Sequence, residues 1–177
     1  MPLPPGTVDA PAGTERIGAI ACWGFGIAWA IWGVTGVSGG LPLAVAGLVT
    51  LVLGIFTATI AFRSGGSPRA RRLPADWQRR YNLLVLAEFV AIFLVSLALG
   101  RSGNPEAIPV AICLLVGLHF FPLTGIFDMT PYRWTAIALC LVAVIGGGLL
   151  GVTTAATARA VVGLGAASVL WTTAARI

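Results

Sequence analysis

Long apolar stretches alternate with short polar breaks along the whole chain, at about 17–36, 43–62, 81–100, 107–127, 134–150 and 160–174. A helix needs about 20 apolar residues to cross the hydrocarbon core of a bilayer. Lipid satisfies no backbone donor or acceptor, so spans of this length are expected as α-helices. The pattern predicts an all-α, polytopic transmembrane bundle of six helices, with 17–177 as one domain. Composition sharpens this reading. The 177 residues are 58% hydrophobic and only 10% charged, and the mean hydropathy is +0.95. A soluble domain of that size would expose a very large apolar surface.

Charge adds an orientation. All eleven basic residues are arginines. If the six spans alternate from a cytoplasmic N-terminus, nine arginines fall inside (16, 63, 69, 71, 72, 79, 80, 133 and 176), and only Arg101 and Arg159 fall outside. That asymmetry predicts both termini in the cytoplasm, and a multi-pass protein of the inner (plasma) membrane. Residues 1–16 are proline-rich and polar, are expected to be disordered, and do not read as a cleavable signal. The 63–80 loop carries six arginines against Asp76. It is expected to lie on anionic lipid headgroups. The formal charge of +5 is explained by this topology, and nucleic acid is not an expected partner.

Candidate chemistry is sparse. Cys22, Cys113 and Cys140 fall inside spans without CxxC spacing, and His119 is the single histidine. The cysteines read as small buried hydrophobes, and neither a metal centre nor another cofactor is expected. Phosphate-cradling glycine loops, GxSxG and HExxH are absent. Runs such as Gly24-Phe25-Gly26, Gly146-Gly147-Gly148 and Gly163-Leu164-Gly165 read as faces for close helix packing.

What remains is polar or aromatic residues placed in lipid. Glu88 lies in the third stretch, YNLLVLAEFVAIFLVSLALG. An acid near a helix centre costs about 3 kcal/mol on insertion scales, so it is expected to face the bundle interior and to have a partner or a purpose. It reads either as a hydrogen-bonded structural acid or as a working acid or coupling carboxylate. The fourth stretch carries GLHFFPLTGIFDMTPYRW. It places His119 on a level with Glu88, and Asp128 at the inner boundary. Tyr81 shares a helical face with Glu88, with Asn82 in the same turn. Pro122 removes a helix hydrogen bond close by. The first span is crowded with Trp23, Phe25, Trp29 and Trp32, three of them at the i, i+4, i+7 spacing of one face. Turned inward, these rings offer an electron-rich wall for a cationic or flat apolar ligand; turned outward, they are lipid contacts.

Two functional classes fit, and the first is the preferred expectation. One is a membrane-embedded enzyme with Glu88 or Asp128 as general acid, and with Trp23, Trp29, Trp32, Tyr81, Asn82 and His119 binding a lipophilic small molecule. In size, hydrophobicity and embedded acids the chain resembles the small integral-membrane terpene cyclases. That architectural resemblance implies cyclisation of a prenylated or terpenoid substrate by protonation, and carries no catalytic residue across. The other is a small-solute transporter, or a substrate-binding or accessory subunit of a larger assembly, with Glu88 as the coupling carboxylate. The six-span format resembles the substrate-binding subunits of energy-coupling-factor vitamin transporters, and GLHFFPL is similar to a stretch of small bacterial multi-pass membrane proteins. A structural or regulatory subunit, acting as an oligomer or with a partner, stays open beside both.

Overall fold

In a computed structural model the chain folds into six long helices, and the structure describes residues 7–11, 13–63 and 72–177. These are α1 (Thr14–Val34), α2 (Leu41–Arg63), α3 (Trp77–Arg101), α4 (Ile108–Phe127), α5 (Thr130–Val152) and α6 (Ala155–Ala174). Each includes a segment long and apolar enough to cross a membrane. Most begin a few residues before the apolar stretch that announced them. Polar first turns extend a helix beyond the hydrocarbon at no cost to its hydrogen bonding. The Thr154 side chain, for example, accepts from the Thr157 amide at 3.1 Å and starts α6 at Ala155. At the head of α3, Asp76 accepts from the Arg80 guanidinium at 2.9 Å, which draws Trp77–Arg80 into the helix.

Neighbouring helices pack against one another, with α4 also touching α6. α3 lies on α4, α4 on α5, α5 on α6 and α6 on α1, while α2 leans on α1 and α6. The tightest approach joins α1 to α6. A Cβ at Gly33 would stand 2.6 Å from the Leu164 amide nitrogen, and one at Gly163 would collide with the Gly33 backbone. Two absent side chains thus let the backbones touch, where dispersion contacts hold helices together without help from water. Gly24 and Gly148, expected on such faces, point into open space instead. Neighbouring positions on a helix do not share a face, so only part of each glycine run can be buried.

Two short strands, β1 (Thr7–Asp9) and β2 (Arg72–Pro74), pair antiparallel with Val8 opposite Leu73 and Asp9 opposite Arg72. The segment expected to be disordered therefore contains a strand, because the connection after α2 offers it a partner. Leu73 is 1% exposed, packed under the end of the bundle. Gly18 of α1 lies beside the Tyr132 hydroxyl and Ile177, so the start of α1 and the residues after α6 share this end of the bundle, as six alternating spans require. Residues 1–6 and 12 of the 1–16 segment lie outside the described residues, and so does 64–71 of the arginine-rich loop.

Candidate functional site: an acid–imidazole pair between α3 and α4

α3 buries no residue completely. Its half-buried positions include Leu84, Glu88, Ala91, Val95 and Leu99, a stripe at three- and four-residue spacing that turns one face to α4. Glu88 occupies the middle of that stripe. Across the seam stands His119, with its Nδ1 3.3 Å from Glu88 Oε2, and the two side chains are only 9% (His119) and 16% (Glu88) exposed. The acid faces inward, as the cost of a carboxyl in lipid demands. Distance and direction disagree, however: the oxygen is within reach, yet His119 Nδ1 makes no hydrogen bond among the described residues. The alignment decides, since a hydrogen bond weakens steeply off its axis. The pair is an apposition that a small rotation of either side chain would close.

Aromatic rings continue from this pair toward the end of the bundle that carries the termini. His119 meets Phe120 edge-on at 6.2 Å, Phe120 meets Tyr132 at 5.5 Å, and Tyr132 meets Phe127 at 6.2 Å. Phe127 in turn meets Tyr81 at 5.9 Å and Trp77 at 6.0 Å. Edge-to-face geometry of this kind adds to burial. Tyr81 thus joins the region of Glu88, though through Phe127. Phe120, Phe127 and Trp77 were not picked out by sequence reasoning. Their only signal was the density of aromatics in HFFPLTGIF, beside a Trp and a Tyr seven residues or more before Glu88.

The remaining candidates lie elsewhere. Asp128 is exposed and caps α4 in the left-handed region, with φ 50° and ψ 47°. Nine residues beyond His119, it is about 13 Å along the helix axis from the pair. Its short polar side chain suits the positive φ that lets α5 begin two residues later. Asn82 lines a shallow open groove with Asp76, Arg79 and Leu86 on the outer side of α3.

The tryptophans form a separate region. Trp23 donates its indole N–H to the Gly54 carbonyl of α2 at 3.0 Å, and Trp171 donates to the Trp23 carbonyl at 3.1 Å. Trp29 and Trp32 stack at 5.5 Å, with Trp29 buried and the Trp29 carbonyl against Gly163. Phe25 is 60% exposed. These rings tie α1, α2 and α6 together, and they form no common wall with Glu88. Pro122 stands within α4 without interrupting it, so its missing N–H leaves the Leu118 carbonyl without the usual helix partner.

No family model matches the chain, and comparison with curated proteins and with solved structures finds no similar chain.

Proposed function

We propose that this multi-pass protein is a proton-coupled carrier or solute-binding subunit, in which Glu88 and His119 exchange a proton as a small lipophilic cation enters the α3–α4 seam. The observation that carries this reading is the 3.3 Å apposition of a carboxyl and an imidazole within the span. With one proton between them the two groups are neutral together, either as acid and imidazole or as carboxylate and imidazolium. Either form avoids a net charge in lipid. A cationic solute that replaces the imidazole at Glu88 displaces that proton, so solute and proton are linked through one site. α3 buries no residue completely and packs on α4 along one partly buried stripe, so it is a lightly held helix.

In liposomes with an imposed pH gradient, the protein should accumulate tetraphenylphosphonium. Glu88→Gln should abolish the accumulation, and His119→Ala should shift its pH dependence. A Glu88→Gln protein that still accumulates the cation would remove the pair from the mechanism. The ring cluster of Phe120, Tyr132, Phe127 and Tyr81 supports a second reading, acid-initiated cyclisation of a prenylated or terpenoid substrate, with Glu88 as acid and the rings facing the developing positive charge. These rings pack on one another, so this reading requires α3 to move aside. Conversion of a prenylated substrate, lost in Glu88→Gln and without cation accumulation, would select it.

A further inference from the structure

Away from the acid–imidazole pair, α5 and α6 enclose a groove of about 230 Å³ at the end of the bundle that carries the termini. Its lining combines Trp134, Thr135, Ser168, Thr172, Thr173 and Arg176. Arg176 is exposed at the mouth, and among the described residues no carboxylate pairs with it. Trp134 is 60% exposed on the opposite rim. Arginine and tryptophan together at a helix boundary mark the level of lipid headgroups.

Below the guanidinium the wall is polar in an otherwise apolar surface. Thr172 and Ser168 are exposed on successive turns, their hydroxyls donating to the Ser168 and Leu164 carbonyls at 2.7 and 2.8 Å. Deeper in, the Thr135 and Thr173 hydroxyls meet at 2.5 Å and close the floor. Arg133 adds a second exposed positive charge beside Trp134. The occupant must therefore be anionic at the mouth, tolerate hydroxyls one turn down and be apolar further in, past Ala138 and Val169.

We infer that this groove is a binding site for an anionic phospholipid, whose phosphate pairs with Arg176 and whose glycerol and first acyl carbons lie along Thr172 and Ser168. The site is independent of the Glu88–His119 reading.

Native mass spectrometry of the intact protein with phosphatidylglycerol or phosphatidylcholine of equal chain length tests it. Wild type should retain phosphatidylglycerol about fivefold better, the contribution of one arginine near the membrane surface. Arg176→Gln should lose that preference, and Arg176→Lys should keep most of it. Arg176 is exposed, so a correctly folded variant is expected, and its melting temperature checks this. An unchanged preference in Arg176→Gln, no preference in wild type, or displacement of the lipid by inorganic phosphate alone would each overturn the assignment.

Discussion

The α1–α6 crossing and the α3–α4 seam are both helix pairs in the same bundle, yet they are built in opposite ways. At the first, Gly33 and Gly163 bring two backbones into contact, and Trp171 and Trp23 lock the pair to each other and to α2 by indole hydrogen bonds. At the second, α3 buries nothing fully, and the middle of its contact stripe is a carboxyl facing an imidazole. The difference teaches a division of labour. Close-packed backbone resists movement, so the first pair is a rigid frame, whereas the second is a lightly held helix with a polar contact at the centre of its stripe.

The comparison is broken most severely at the glycine crossing. Gly163→Val puts a branched side chain into the Gly33 backbone, and should destabilise the bundle by about 3 kcal/mol, at the upper end for overpacking. The check is its loss of folded protein in detergent at temperatures where Glu88→Gln remains folded; equal stability of the two would erase the contrast between frame and seam.

A smaller effect is expected where the β pair meets α4. Leu73→Ala removes a fully buried side chain and should cost about 2 kcal/mol. Faster amide exchange should then appear in β1, β2 and the part of α4 they meet, with α1 and α6 unaffected. Uniform loss of protection would show that the strands brace the whole bundle.

The smallest effect belongs to Asp76. The hydrogen bond from Arg80 holds its carboxyl below the usual carboxylate range. A group lowered in the folded state contributes stability above its unfolded pKa and loses it as pH falls through the folded value. Asp76→Asn should therefore melt marginally below wild type at neutral pH, and the two should converge in acid. The pair is exposed on both sides, which keeps the difference small. A gap that widens in acid would reverse the assignment.

Much of the frame was legible before any coordinates. Six windows of apolar residues name six helices, since transfer into lipid depends on composition summed over a local stretch. The inward orientation of Glu88 was legible for the same reason, as was its level with His119, which follows from counting residues along two antiparallel helices. The tryptophans show where this kind of reading ends. Their spacing on α1 predicts a shared face, but whether that face turns to a cavity, to lipid or to another helix depends on α2 and α6, and Trp23 proves to be a tie to Gly54. Asp128 read from the sequence as a second candidate acid at the inner boundary, in the same half of the bilayer as Glu88. The left-handed turn it occupies is decided by how α4 stops and α5 starts.

By itself, then, the sequence determined a multi-pass, all-helical chain and the positions of the few polar side chains that lipid makes costly. Tertiary structure alone decided that Glu88 meets His119, that a chain of rings runs from His119 through Phe120 and Tyr132 to Phe127, that Gly33 meets Gly163, and that Thr7–Asp9 finds Arg72–Pro74. The physical reason is one of range. Partition into a membrane is additive over neighbouring residues, whereas contact between helices depends on their rotation and register, which side chains from distant segments set together.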